Sequence, residues 1–315
     1  MSIDGFGATR DLPAIELLEP PVPSGPAPAV ETSALTKRYG SVLAVNELDL
    51  VVPTGEVFGL IGPNGAGKTT TFSILASLLK STSGRAVVAG IDVRDDPGKV
   101  RSKVGYMPDI LGVYDSLQVE EYLRFFASSY RIRKAEWPAL IDGLLELVDL
   151  TGKRHAMVNS LSRGMKQRLS LARSLVHDPE VLILDEPASG LDPRARVELR
   201  ELLHELRSMG KTLLISSHIL SELEEMCTQI GIMEAGKLLV SGPPQQILDQ
   251  AQATRRVKVR FADGEVEEHT VADDAEQQAL LRRLVVDGNR DVVEFAEVGG
   301  GLEDLFLRIT QGIVQ

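Results

Sequence analysis

The sequence is poor in the residues that support disulfide-linked, metal-bound or membrane-spanning folds. Its 315 residues include one cysteine, Cys227, so no internal disulfide can form, and no CxxC or clustered Cys/His spacing indicates a structural metal site. No stretch approaches the roughly 18 consecutive apolar residues that a membrane span needs, and the N-terminus lacks the layout of a signal peptide. We therefore expect a cytoplasmic protein in which Cys227 packs as an ordinary apolar residue.

Positive charge is also scarce relative to negative charge. The chain has 34 Lys and Arg residues against 45 Asp and Glu residues, which gives a formal net charge of -11. This balance argues against a broad surface for DNA or RNA, because such surfaces need cations to neutralise phosphates. With 43% hydrophobic residues, the chain can bury the core of one large domain and a smaller appendage.

The pattern along the chain predicts three regions. Residues 1–30 are rich in proline (LLEPPVPSGPAPAV) and are expected to form a disordered arm. Residues 31–245 contain apolar runs, such as VFGLIG, VLILDEP and KTLLISSH, separated by helical segments, which predicts an α/β fold with a mainly parallel core sheet. Residues 246–315 read as strands (RRVKVRF, GEVEEHTV, DVVEFAEV) interleaved with two helices, and therefore as a small α+β module.

A helical insert is expected within the middle region, at about residues 95–175. Four of its aromatic residues, Tyr122, Phe125, Phe126 and Tyr130, recur at helical spacing and form one apolar stripe. We interpret this stripe as core packing.

The strongest local pattern is GPNGAGKT, from Gly62 to Thr69, which matches the phosphate-loop pattern G-x-x-x-x-G-K-[ST]. It follows an apolar strand and precedes a helical run, as the pattern requires. The glycines let backbone N–H groups surround phosphate oxygens, and the helix N-terminus adds positive potential. Lys68 can reach the β and γ phosphates, and the Thr69 hydroxyl can bind Mg²⁺.

Two carboxylates follow the apolar run Val181–Leu184, at the end of a predicted strand. In open α/β sheets, ligands bind at this end of the strands. Asp185 could therefore hold Mg²⁺ while Glu186 takes a proton from a water that attacks the γ phosphate. His218 ends a neighbouring strand and is a further candidate for the same site.

The motifs GPNGAGKTT, LSRGMKQR, VLILDEPASGLDP and ISSH occur in this order within residues 31–245. Together they resemble the ATP-binding cassette of ABC transporters, a P-loop NTPase fold. The sequences of these motifs, together with GYMPD and SSHILSELEEMC, are similar to those of separately encoded ATPase subunits of bacterial drug- and sodium-efflux exporters. The segment GGGLEDLFLRIT also resembles how such subunits end.

This resemblance implies a role for each matching residue. The implied catalytic residues are Glu186 as the base, His218 as a switch that touches the γ phosphate, and Lys68. The loop from Ser189 to Asp192 is implied to carry signals between the two chains of a dimer. The implied ATP contacts are Tyr39 (stacked on adenine), Gly62, Pro63, Asn64, Gly65, Ala66, Gly67, Lys68, Thr69, Thr70 and Asp192, with Ser162 and Gly164 acting on the ATP of a second chain. The implied Mg²⁺ ligands are Thr69, Asp109 and Asp185.

The resemblance also implies partners and a location. It predicts a two-fold dimer with two ATP molecules between the chains, a separately encoded membrane permease, and a peripheral position on the inner face of the membrane. Three positions depart from the family pattern. Arg163 and Met165 stand where LSGGQ has glycine and glutamine, and Asp109 stands where glutamine is usual.

Two other functions are compatible with a cassette ATPase. A protein acting on nucleic acid or ribosomes would usually carry a long coiled coil between Lys68 and Ser162, or a second cassette; this chain has neither, and its acidity disfavours the class. A nucleotide-gated regulatory module without turnover would lose the catalytic base, whereas Glu186 is present. An ATPase that powers export is therefore the leading interpretation.

Overall fold

The computed structural model describes residues 27–297, except for 111, 113, 115, 252–254, 272 and 289. Most of the predicted disordered arm, and the segment GGGLEDLFLRIT, lie outside the described residues. No helix within the described ranges combines the length and apolar character needed to cross a membrane.

Strands and helices alternate along most of the chain. The strands are β1 (Val30–Tyr39), β2 (Val42–Val52), β3 (Val57–Ile61), β4 (Ser83–Val88), β5 (Ile91–Asp92), β6 (Val104–Met107), β7 (Val181–Leu184), β8 (Thr212–Ser217), β9 (Gln229–Glu234), β10 (Lys237–Gly242), β11 (Arg255–Phe261), β12 (Val266–Val271) and β13 (Val292–Glu297). The α-helices are α1 (Lys68–Leu75), α2 (Pro97–Lys103), α3 (Val119–Ser129), α4 (Trp137–Leu147), α5 (Arg163–Leu175), α6 (Pro193–Ser208), α7 (Leu220–Met226), α8 (Pro244–Ala251) and α9 (Asp274–Arg282).

The central sheet has six strands in the order β10-β9-β3-β8-β7-β6. All neighbours are parallel except β9 and β10, which confirms the predicted mainly parallel core sheet. Strands β3, β7 and β8 are buried along their whole length. Strands covered on both faces need apolar side chains at every position, which explains the continuous apolar runs in the sequence.

Two different layers cover the faces of this sheet. Ile61, Leu184 and Ile215 belong to a core shared with helices α3 to α7, whereas Phe58 and Ile183 belong to a second core shared with α1 and a four-stranded antiparallel sheet. The strand order of that second sheet is β2-β1-β4-β5. Successive residues of one strand point to opposite faces, so each central strand contributes to both cores.

The helical insert differs from its prediction at its beginning. We expected helix from about residue 95, but β6 follows α2 and pairs with β7 as the edge of the central sheet, with Val104 opposite Val181. The run Val104–Met107 has four residues and is buried at three of them, so it shows no alternation that separates a strand from a helix. The continuous helical part starts at α3.

The aromatic stripe on α3 is buried only in part. Tyr122 is fully buried, in agreement with the core interpretation, but Phe125 is 47% and Tyr130 41% exposed, so that interpretation was wrong for these two rings. The Phe125 ring meets Tyr114 edge-on with the centroids 5.3 Å apart. The buried residues of α3 are Val119, Tyr122, Leu123 and Ala127, so only part of the aromatic stripe faces the core.

The segment after α8 forms its own small sheet, with the strand order β12-β11-β13. All three predicted strands are present and antiparallel, and helix α9 runs into a π-helical turn at Arg283–Asp287. Val257, Phe261 and Leu280 contribute to a core separate from the two large ones. This separate core is what a small accessory domain requires.

Candidate active site

The candidate site lies where three parallel strands end side by side. Ile61 at the end of β3 pairs with Ser217 of β8, and Leu184 at the end of β7 pairs with Ile215. Parallel strands deliver the residues that follow them to one edge of the sheet. The glycine-rich loop, the carboxylate pair and His218 therefore meet at this edge.

The loop between β3 and α1 is shaped by its glycines. A Cβ atom at Gly62 would lie 2.2 Å from the Met233 carbonyl oxygen, and one at Gly67, where φ is +104°, would lie 2.4 Å from the Ala44 carbonyl oxygen. Only glycine fits these positions without displacing backbone. Gly67 provides no side-chain cap for α1, whose N-terminus opens onto the loop. This geometry suits a bound phosphate.

Lys68 bends back over this loop and is only 6% exposed. Its ammonium donates to the Gly62 carbonyl at 2.7 Å and to the Pro63 carbonyl at 3.4 Å, and it lies 3.5 Å from a Glu186 carboxylate oxygen. A buried charge needs such partners. The Lys68 ammonium thus contacts both the glycine-rich loop and the Glu186 carboxylate.

Asp185 is almost completely buried at the end of β7. Its Oδ1 accepts from the Ser216 hydroxyl at 2.5 Å, while its Oδ2 is buried without a hydrogen-bond partner. Burial raises the pKa of the Asp185 carboxyl, and hydrogen bonds from Ser216 and Thr69 oppose the rise. An unpartnered carboxylate oxygen beside a threonine hydroxyl is open to a cation.

Glu186 turns away from Asp185 and faces the loop. Its Oε2 lies 2.8 Å from Nδ1 of His218, and its backbone N–H donates to the Ser216 hydroxyl at 2.9 Å. The Glu186 side chain is 14% exposed, against 47% for His218. Lys68, Glu186 and His218 therefore form one contiguous group, in which His218 is the most exposed side chain.

The second predicted phosphate contact lies at the start of α5. Ser162 caps this helix, with its hydroxyl accepting from the Met165 N–H at 3.3 Å, and no acidic residue occupies the first turn. Gly164 packs near Leu191 and Ala195 of the following segment. Among the hydrogen bonds of the described residues, none joins Ser162 or Gly164 to the glycine-rich loop.

The loop from Ser189 to Asp192 lies against the start of α5. Asp192 caps α6 by accepting from the Ala195 N–H at 2.9 Å. The Arg163 guanidinium packs onto Gly190, so closely that a Cβ atom there would come within 2.4 Å of it. Arg163, one of the two residues that depart from the LSGGQ pattern, thus contacts the neighbouring loop.

Known proteins share this arrangement. A model of the family described as "ABC transporter" matches residues 45–189. Nod factor export ATP-binding protein I of Rhizobium meliloti (strain 1021) is 36% identical over 90% of this chain and 89% of its own length. The bacitracin transport ATP-binding protein BcrA of Bacillus licheniformis is 36% identical over 90% of this chain and 97% of its own. The chain belongs to the ABC transporter family.

A solved structure agrees with this ABC transporter assignment. The protein cbiO1 from Clostridium perfringens, described as part of the ABC transporter complex cbiONQ, has a TM-score of 0.66 and 26% identity over 72% of this chain and 93% of its own. The chain is an ATP-binding subunit of the exporter type, and it hydrolyses ATP in a reaction coupled to transport. Relatives of the export class favour this function over the nucleic-acid and non-hydrolysing alternatives.

The residues predicted to bind Mg²⁺ fit a hard cation. The Thr69 hydroxyl opposes the rise in the pKa of Asp185, which places it close to this carboxyl, and the unpartnered Oδ2 of Asp185 supplies an oxygen ligand. Asp109 follows β6, next to β7, and its charge contributes to the raised pKa of Asp185. In the described ranges, no cluster of three or more His, Cys, Asp or Glu side chains is arranged around a metal.

The remaining predicted contact is Tyr39, at the end of β1. Its ring is 47% exposed, with the Lys37 ammonium 4.9 Å from the ring centroid. Tyr39 pairs with Val42 across the hairpin, and Ala44 on the second strand touches the phosphate loop through Gly67. The hairpin thus lies against the loop and presents an accessible ring.

Sequence reasoning missed two residues of the site. Ser216 bonds both Asp185 and the Glu186 backbone, and Gln167 of α5 bonds the backbone carbonyl of Pro187. Ser216 lies two residues before His218, at the end of an apolar strand. This position in the sequence could have predicted that Ser216 lies beside the carboxylates. Gln167 lies within the run LSRGMKQR, but its position in that run does not show that its side chain reaches the turn after β7.

Proposed function

We propose that Glu186 is the general base of ATP hydrolysis, with Lys68 and His218 acting beside it. The observation that carries this proposal is that one carboxylate contacts both the lysine of the phosphate loop, at 3.5 Å, and the histidine, at 2.8 Å. The lysine of such a loop reaches the β and γ phosphates. A carboxylate in contact with it lies beside the terminal phosphate.

In the proposed reaction, a water molecule attacks the γ phosphorus, and the bond from this phosphorus to the oxygen bridging the β phosphate breaks. Glu186 accepts the proton that the water loses. Lys68 and the loop amides stabilise the phosphate oxygens. His218 holds the Glu186 carboxylate through Nδ1 and contacts the γ phosphate. Mg²⁺, when bound by Thr69, Asp185 and Asp109, neutralises part of the triphosphate charge.

The other ATP contacts follow the loop and the hairpin. Backbone groups of residues 62–67, with Thr69 and Thr70, surround the phosphates, and the exposed Tyr39 ring stacks on adenine. Ser162 and Gly164 bind the γ phosphate held by a second copy of the chain, and Asp192 belongs to the loop that meets that copy. The capped, acid-free start of α5 supports this role. Two chains then enclose two ATP molecules in a two-fold dimer.

The partner is a separately encoded membrane permease that selects the cargo, and the subunit lies on the inner face of the membrane. The names of the relatives, an exporter of Nod factor and a transporter of bacitracin, support export through such a complex. The exposed rings of Tyr114 and Phe125, which contact each other, and the exposed Ile110 support docking beside the insert. Residues 246–315 form an accessory domain of this subunit.

The test separates binding from hydrolysis. Glu186→Gln should keep ATP binding and lower turnover about 100-fold or more, because it removes the proton acceptor. Lys68→Ala should instead lose ATP affinity first. Calorimetry and phosphate release measure the two effects.

Glu234→Gln is a matched control. Glu234 is a buried carboxylate at the end of β9, the strand beside β3, and no contact with His218 is seen among the described residues. Near-normal turnover in Glu186→Gln would exclude Glu186 as the base. Equal ATP affinity in Glu186→Gln and Lys68→Ala would contradict the separation of roles.

A further inference from the structure

A side chain of helix α5 reaches the turn that carries Glu186. Gln167 lies three residues after Gly164 and is only 6% exposed. Its Nε2 donates to the Pro187 carbonyl and lies 3.5 Å from the Glu186 carbonyl. Because both facing groups are carbonyl oxygens, the amide nitrogen must point toward them. The helix that begins with Ser162 is thus bonded directly to the backbone of the proposed base.

That backbone has a conformation that needs support. Glu186 has φ +51°, in the left-handed region that residues other than glycine rarely adopt, and a proline follows it. Such a conformation persists only where surrounding contacts enforce it. Three groups contact this turn: the Ser216 hydroxyl accepts from the Glu186 N–H, the Ser189 N–H donates to the Glu186 carbonyl at 3.0 Å, and the Gln167 amide donates to the carbonyl of the next residue, Pro187.

Packing alone does not explain an amide at this position. The Gln167 Oε1 is buried without a hydrogen-bond partner, which is costly for a polar atom. Met107, Leu171 and Leu191 line the adjoining groove, so apolar side chains lie near this amide. The amide has one feature that methionine lacks, the N–H group that bonds the catalytic turn.

We propose that Gln167 is a positioning residue, which holds the strained Glu186 backbone so that the carboxylate stays against Lys68 and His218. It thereby ties the position of the base to the helix whose start binds the partner chain's ATP. The inference rests on the proposed role of Glu186.

The test uses the full-length chain with Gln167→Met, which keeps the side-chain length and removes the donor. We expect kcat to fall about 10- to 100-fold, as misplaced catalytic groups do, with ATP affinity within about twofold of wild type. In a Glu186→Gln background the same substitution should cause no further loss, because Gln167 acts through Glu186. Ser174→Ala, another buried position on α5 that bonds only its own helix at Leu171, is the control for packing.

Gln167→Glu supplies a second readout. Its carboxylate repels the two carbonyls when ionised but can donate when protonated. The ratio of its kcat to that of wild type should therefore rise as the pH is lowered. A purely structural role predicts a ratio independent of pH.

Three results would overturn the inference: kcat of Gln167→Met within twofold of wild type, an additional loss in the Glu186→Gln background, or a pH-independent ratio for Gln167→Glu. If Gln167→Met does not fold, the pH series of Gln167→Glu alone decides. Failure of the proposed function is distinct, because it appears as normal turnover in Glu186→Gln whatever Gln167 does.

Discussion

The glycine-rich loop and the start of α5 are both polar turns that lead into a helix N-terminus, yet their surroundings differ. Around the loop, the chain supplies the cation Lys68, the carboxylates Asp185 and Glu186, and His218. The start of α5 has a serine cap and an arginine, packed against the next loop. The first turn is surrounded by charged groups of its own chain, whereas the second has a helix N-terminus and a serine cap without them. This difference is what the proposed role of the second turn, in the site of a second chain, would require.

The largest expected effect tests whether the two halves belong to different chains. Lys68→Ala and Gly164→Asp should each abolish ATPase activity, because homodimers of either variant contain two damaged sites. Mixing the two should restore about a quarter of the wild-type rate, since half of randomly paired dimers hold one intact site. Phosphate release and ATP-dependent dimerisation of the mixture measure this.

Gly164→Ala is the matched control for the second variant. Its Cβ would lie 3.5 Å from Leu191, which is an ordinary contact. The alanine variant therefore measures the effect of a small added side chain, and the aspartate variant measures the effect of an added negative charge. A mixture that stays at background and forms no mixed dimers would show that each chain uses its own α5.

A second prediction compares the same small change in the two turns. Gly67→Ala should destabilise the loop by at least about 1–2 kcal/mol, the cost of a left-handed alanine, and weaken ATP binding, because its Cβ also meets the Ala44 carbonyl at 2.4 Å. Gly164→Ala should fold and bind ATP normally. Thermal unfolding and calorimetry compare the variants, and equal effects would remove the distinction between the two turns.

A smaller effect is expected on the exposed side of the insert. Phe125→Glu places a charge in the apolar cluster with Tyr114, so it should weaken association with membranes that contain the permease. Purified Phe125→Glu should keep its ATPase activity. Val266→Glu, at a residue 49% exposed on β12, controls for added charge. Membrane sedimentation that is unchanged by Phe125→Glu and by charge reversal at neighbouring exposed positions would place docking elsewhere.

The smallest effect concerns Asp109, beside the carboxylate pair. Asp109→Gln should remain active with an altered Mg²⁺ dependence, because a neutral amide oxygen replaces a charged ligand. Asp109→Ala should lose much of its activity, because no oxygen remains. A Mg²⁺ titration of ATPase activity measures both variants. Superimposable curves for wild type and both variants would show that this side chain does not approach the ion.

Much of the fold was predictable because it depends on local patterns. The buried strands β3, β7 and β8 appear as continuous apolar runs, and strand β11 of the C-terminal sheet alternates polar and apolar residues. Strand β6 was not predicted, since four apolar residues are too few to show a period. The exposure of Phe125 was also missed, because a helical stripe does not reveal how much of it the neighbouring helices cover.

The sequence by itself determined the phosphate loop and the strand-end carboxylates, because these depend on a few residues at fixed spacing and on the strand that precedes them. The tertiary structure decided which distant groups meet. Lys68, Glu186 and His218 touch only because β3, β8 and β7 lie side by side, and Gln167 reaches the catalytic turn only because α5 packs beneath it. Contacts of this kind depend on strand order and helix packing, which no local spacing encodes.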